Sequence, residues 1–331
     1  MRWSTSPALL KAVLAASVTL TTLNAQAPAT LPSWAYPIPP APSTTGAKPP
    51  ASLPPDDQMH LPASTATYTR KQIADLFAVP DWYPDAHPQM PPVVLHGRKP
   101  DVYACAYCHL PTGSGRPENQ SIAGLPAAYM LEQINDFKSG ARHSSEPRMG
   151  SVTHMIRTAK ALTPEEAQEG VAYFAALKPQ RWIRVVESDT VPKFRINGGM
   201  LVLSEAGGRE PIGDRVIELP ENLEKTELRD PTSGFVAYVP TGSLAKGEAL
   251  VKSGGNGKTM PCVLCHGADL RGMGNTPSIA GRSPSQMTRQ LIDFQTGARN
   301  GPGAAMMKMP VAKLTNTDIV DIVAYLASLA P

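Results

Sequence analysis

The feature that most constrains this chain is a five-residue pattern that occurs twice. Cys105-Ala-Tyr-Cys108-His109 returns as Cys262-Val-Leu-Cys265-His266, 157 positions later. The same offset, without a gap, sets Ser121-Ile122-Ala123-Gly124 on Ser278-Ile279-Ala280-Gly281. It carries Gln133, Asp136 and Phe137 onto Gln290, Asp293 and Phe294, and Gly140-Ala141-Arg142 onto Gly297-Ala298-Arg299. Half of the positions between 121 and 142 are identical under this shift, so a whole structural unit is duplicated. After a change in length the repeat resumes at an offset of 152, where Leu162-Thr163-Pro164-Glu165-Glu166 matches Leu314-Thr315-Asn316-Thr317-Asp318. Each of these opens a helix with a capping box, and Pro164 takes the favoured first helical position.

Cysteines at i and i+3 and a histidine at i+4 share one face of a helical turn. That spacing lets two thiols bond two vinyl groups of one porphyrin while the imidazole approaches iron from the same side, which is the c-type haem attachment signal. The two copies, Cys105/Cys108 with His109 and Cys262/Cys265 with His266, consume all four cysteines. Zinc binding would leave the adjoining histidines without a reason. Two disulfides would not require a repeated His, and a thioredoxin-like pair wants a βαβ setting that is absent. The expected cofactors are therefore two covalently bound haem c groups.

The second unit contains one histidine, His266, so its other axial ligand is expected among Met306, Met307 and Met309. The first unit offers Met149, Met155, His143 and His154. Counting back seven residues from Leu162 and from Leu314 reaches Met155 and Met307, and this shared position selects them, with Met149, His154, Met306 and Met309 as alternatives. A thioether opposite an imidazole raises the reduction potential and leaves no open iron position. Arg142 and Arg299 recur at matched positions; pairing with haem propionates and a solvated helix end are both open readings.

Helices are expected at 126–139 and 284–296, and from Ser243 to Lys252, where Gly254-Gly255 stops the run. Prolines 91, 92 and 100 deny the first unit the equivalent of that last helix, so its opening helix is sought at Thr69 to Ala78. The region 181–240 has a different texture. Trp182 to Val186, Lys193 to Ile196, Met200 to Leu203 and Phe235 to Val239 read as short strands.

At the N-terminus, Arg2 and Lys11, the apolar run from Ala12 to Leu23 and small residues at Ala25 and Ala27 read as a secretory signal. Its removal lowers the formal charge from +3 to +1, which gives no case for nucleic acid. Eleven prolines within 28–62 predict an extended tether. The boundaries read from these changes are a signal at 1–27, a tether at 28–66, helical units at 67–180 and 241–331, and a β-rich insertion at 181–240.

Taken together, the paired motif, the Ser-Ile-Ala-Gly segment, the Asp-Phe-x-x-Gly-Ala-Arg segment and the final capped helix resemble class I cytochromes c. The two-unit arrangement is similar to the periplasmic di-haem carriers of the c-four type. The resemblance implies a mainly α fold of two cytochrome c-like helical domains, each holding one haem between His and Met: His109 with Met155, and His266 with Met307. In that family a proline carbonyl supports the proximal His; Pro277 matches it, whereas the first unit has Gln120. The implied role is passing single electrons between periplasmic redox proteins, a dehydrogenase donor and an oxidase or other cytochrome acceptor, without enzymatic activity. Peripheral association with a membrane complex is a further expectation. A di-haem peroxidase or thiosulfate-oxidising enzyme, and a cytochrome subunit docked on a dehydrogenase, are the competing readings.

Overall fold

Apolar spacing and capping signals in the repeat come out as helices, and the region between as short strands. The computed structural model describes Met1, residues 31–39 and residues 56–331; apart from Met1, the expected signal lies outside the described residues. On the N-terminal side lie β1 (Gln58–His60), β2 (Thr67–Thr69), α1 (Arg70–Ile73), α2 (Pro92–Leu95), α3 (Cys105–His109), α4 (Ala127–Ser139), α5 (Gly150–Ala161) and α6 (Pro164–Ala176). The middle holds β3 (Ile183–Glu187), β4 (Thr190–Pro192), β5 (Phe194–Asn197), β6 (Met200–Leu203), β7 (Arg209–Pro211), β8 (Ile217–Pro220), α7 (Leu223–Glu227) and β9 (Phe235–Val239). On the C-terminal side are α8 (Ser243–Ser253), α9 (Val263–His266), α10 (Pro284–Thr296), α11 (Ala305–Val311) and α12 (Asn316–Ser328).

Both capping boxes form. The Thr163 hydroxyl accepts from the Glu166 amide at 3.2 Å, and the Glu166 carboxylate accepts from the Thr163 amide at 2.9 Å. Thr315 and Asp318 repeat this at 3.2 and 2.7 Å, so each helix start has two otherwise orphaned N–H groups satisfied. Helix α8 ends where the paired glycines predict, with Gly254 at φ 77.

Helix α8 crosses α12 closely because Gly247 has no side chain. A Cβ there would lie 2.7 Å from the Asp321 carbonyl carbon and 2.8 Å from Tyr325 Cβ. The first unit solves the same packing problem differently. The opening helix expected from Thr69 to Ala78 shrinks to α1, because the Asp75 carboxylate accepts from the Phe77 amide at 2.9 Å and turns the chain. Helix α2 takes its place, setting Val93 and Val94 against Gly170 of α6.

In the middle region β3 runs parallel to β9, and β8 is antiparallel to it, giving a three-stranded sheet; β4–β7 and β5–β6 are antiparallel pairs. This sheet lies against α12, so Ile183, Ile217 and Phe235 share one apolar cluster with Ile319, Val323 and Leu326.

The tether reading fails at 31–39. Trp34, Ala35 and Tyr36 are buried in that same cluster, and the Ala35 carbonyl accepts from Arg289 Nη1 at 2.7 Å. Proline density masked a three-residue anchor whose two rings bury enough apolar area to offset ordering a chain that proline has already stiffened. Residues 58–66 are not a free tether either: β1 pairs with β2, and Leu61 is buried with Ile73, Trp82 and Leu228.

Candidate haem sites

Under the 157-residue shift the backbone around the two motifs repeats bond for bond. The Gly115 amide donates to the His109 carbonyl and the Gly272 amide to that of His266, at 2.9 and 2.8 Å. Isolated bridges join Arg116 to Asn119 and Met273 to Thr276. The Gly124 amide donates to Phe174 and the Gly281 amide to Leu326, tying each Ser-Ile-Ala-Gly segment to the final helix of its unit.

Each motif forms a single helical turn, α3 or α9. His109 Nδ1 lies 2.8 Å from the Gln120 carbonyl, and His266 Nδ1 lies 2.8 Å from the Pro277 carbonyl. The departure at Gln120 therefore changes nothing at this bond, because the acceptor is main chain. A proton held on Nδ1 leaves Nε2 with its lone pair, the tautomer a metal-binding imidazole needs. Burial lowers both imidazole pKa values against the opposing effect of these carbonyl bonds, and Arg142 lowers that of His109 further. Burial pushes the Cys105 thiol up to about 12 and the Cys262 thiol up to about 11, and raises that of Cys108. Such surroundings disfavour a thiolate and suit an uncharged thioether.

A cavity beside the first motif is lined by Cys105, Cys108, His109, Gln120, Ile122, Tyr129, Met130, Ile134, Phe137, Val171 and Phe174. Arg142 lines it too, with Gln286, Arg289 and Gln290 from α10 of the second unit. Its apolar walls suit a porphyrin face. Arg142, Arg289 and Arg299 are buried, and none has a carboxylate ion-pair partner among the described residues. Burial, with Arg299 nearby, pulls the Arg142 pKa down to about 9. Arg282, also buried, keeps Nη2 without a partner. A buried cationic cluster of this kind calls for anions, which the propionates of a haem supply.

Neither reading of Arg142 and Arg299 as solvated helix ends survives, and the residues that hold them were missed from sequence. Arg142 donates to Gln133 of its own unit at 2.9 Å and to Gln290 of the other at 2.7 Å. Arg299 donates to Gln290 at 3.1 Å, and across to Gln133 and the Tyr129 hydroxyl, both at 2.8 Å. The signal was available: Gln133 and Gln290 are identical under the same shift as the arginines. Main-chain bonds from His143 N to Ala298 O (2.8 Å) and Asn300 N to Ala141 O (2.7 Å) complete the junction.

Met155, on α5, lines the cavity. Met149 is buried in the larger apolar cluster instead, while His154 is exposed at the cavity edge and His143 is exposed. On α11, Met307 packs half-buried against the core, whereas Met306 and Met309 are 73% and 69% exposed.

The cytochrome c family profile matches residues 245–330. Cytochrome c-552 of Acidithiobacillus ferridurans is 32% identical over 228 residues, covering 68% of this chain and 73% of that protein. The chain belongs to the cytochrome c family. Cytochrome c4 of Azotobacter vinelandii is 27% identical over 233 residues, 68% of this cytochrome and 84% of the relative. The thiosulfate dehydrogenase electron acceptor of Thiomonas intermedia (strain K12) is 24% identical over 234 residues, 69% and 80% of the two chains. The cofactor of this cytochrome is covalently attached haem c, two per chain. Among the described residues no helix is long and apolar enough to cross a membrane.

Proposed function

We propose that this cytochrome is a periplasmic electron carrier with one six-coordinate haem in each of two units, 67–180 and 241–331, separated by the insertion at 181–240. Thioether links form at Cys105, Cys108, Cys262 and Cys265. His109 and Met155 are the axial ligands in the first unit, and His266 and Met307 in the second. When bound, each haem supplies a one-electron couple. The protein's residues orient the imidazoles through two equal bonds to main-chain carbonyls, exclude water with apolar walls, and balance propionate charge with buried arginines. The observation that carries this reading is the equality of the two sites: both histidines present Nε2 through the same 2.8 Å contact at Nδ1. The packing of half-buried Met307 against the core, where Met306 and Met309 are exposed, and the cavity position of Met155 support the methionine assignments.

With both axial positions filled, outer-sphere transfer is favoured over chemistry at iron. A dehydrogenase upstream is the partner class supported by the name of the Thiomonas relative. Ferric methionine-ligated haem shows a weak far-red band. Met155→Ala and Met307→Ala should each remove about half of it and open that haem to carbon monoxide. A full band in either variant, or rapid carbon monoxide binding by the unaltered ferrous protein, would refute the assignment.

A further inference from the structure

The two motifs are alike in backbone, but their outward faces are treated in opposite ways. The residue just before the second cysteine is Tyr107 in the first unit and Leu264 in the second, and the 157-residue shift also matches Arg116 with Met273. In the first unit, α7 and the residues just after it cover this face. Arg229 stacks on the Tyr107 ring at 3.4 Å and donates to the Tyr107 carbonyl at 2.7 Å. Arg116 donates to the Thr226 carbonyl at 3.2 Å, and Trp82 Nε1 to that of Leu228 at 2.7 Å. Leu228 is fully buried, and Arg229 adopts φ 58, a left-handed conformation unfavourable for arginine. Three bonds and a buried side chain hold that conformation in place. In the second unit the matched face is bare: Leu264 is 60% exposed, Met273 59% and Met260 36%. Close to it in sequence, Lys258 pairs with Asp318 at 2.6 Å, and the Asp269 carboxylate accepts from the Arg271 amide at 3.1 Å.

Resting on the carrier reading, we propose that the insertion closes the thioether face of the first haem. Electrons are then exchanged with protein partners through the Leu264–Met273 face of the second. Covalent attachment fixes the porphyrin edge at the cysteine sulfurs, so whatever covers residue 107 or 264 sets how closely a partner reaches that edge. The segment at 223–230 covers the first face. Exposed side chains of Leu264, Met273 and Met260 select a one-electron protein whose own cofactor opens on an apolar surface.

The test uses the holoprotein, with oxidised blue-copper protein as the protein-sized acceptor and ferricyanide as the small one. Replacing the patch by Leu264→Ser with Met273→Ser should slow oxidation by the copper protein about tenfold while both haem spectra stay unchanged. Adding Arg229→Ala to that pair should recover at least about threefold by opening the first face. Hydroxyl-radical footprinting gives a second readout: Tyr107 should be protected, and Arg229→Ala should raise its labelling about threefold or more. A patch variant within twofold of the unaltered protein, or equal Tyr107 labelling with and without Arg229, overturns the proposal. Failure of ferricyanide to oxidise either haem would instead overturn the carrier reading and leave the footprinting comparison standing.

Discussion

Two helical glycines, Gly247 on α8 and Gly170 on α6, should respond to alanine in opposite directions. In a helix interior the change from glycine to alanine is worth about 1 kcal/mol of stabilisation. At Gly170 the new methyl would meet Cys105 Sγ and Val93 Cγ1 at 3.7 Å, ordinary contact, so that gain survives. At Gly247 it would run into the Asp321 carbonyl group and lie 2.8 Å from Tyr325 Cβ, mostly against backbone that cannot rotate away. Overpacking of this kind costs about 3 kcal/mol, the upper part of its usual range, and the propensity gain offsets only a third of it. Gly247→Ala should therefore lose about 2 kcal/mol, a fall of about 3 °C in melting temperature for a chain of this size. Gly170→Ala should match or exceed the unaltered protein. Thermal melts followed by circular dichroism and Soret absorbance on the haem-loaded proteins decide it. A Gly247→Ala variant as stable as the parent would show that the α8–α12 crossing is not limited by this contact.

Glu218 is fully buried, accepts from Ser283 Oγ at 2.8 Å and the Ser285 amide at 3.2 Å, and is pushed by burial up to about 7. Because its folded pKa lies above the unfolded value, its favourable contribution is complete below about pH 4.5 and is lost as pH rises through 7. Glu218→Gln should remove this loss and raise stability above pH 7 by about 1–3 kcal/mol, read from denaturant melts at pH 5 and 8; equal shifts at both pH values would contradict it. Arg299→Met leaves Gln133, Gln290 and the Tyr129 hydroxyl without that donor, and should cost about 2–4 kcal/mol with both haems retained. A loss below 0.5 kcal/mol, roughly the size of an ordinary surface change, would show that the junction does not depend on this guanidinium.

Much of the site was legible in the chain because attachment chemistry fixes cysteine and histidine spacing, and duplication supplied an internal control. The capping boxes and the Gly254 stop were readable for a similar reason, since their signals are local. Helices α5 and α11 were not: Gly150, Val152, Thr153 and Thr158 weaken one, and Pro310 lies inside the other, so tertiary packing must hold them. Strands β4, β7 and β8 are short and end in proline, which hides any alternating pattern. The Trp34–Tyr36 anchor was lost because composition averages over a segment, while burial depends on a few side chains. Arg229 lay furthest out of reach. Its partner Tyr107 is 122 residues away, and nothing in either local sequence announces the contact.

Electron transfer by this cytochrome requires tetrapyrrole held covalently at both motifs. Intact-mass measurement of the protein, produced with a working c-type maturation system, tests that directly. The mass should exceed that of the polypeptide by two haem groups, and peptide mapping should place one on the segment with Cys105 and Cys108 and one on that with Cys262 and Cys265. An addition of one haem or none would contradict it.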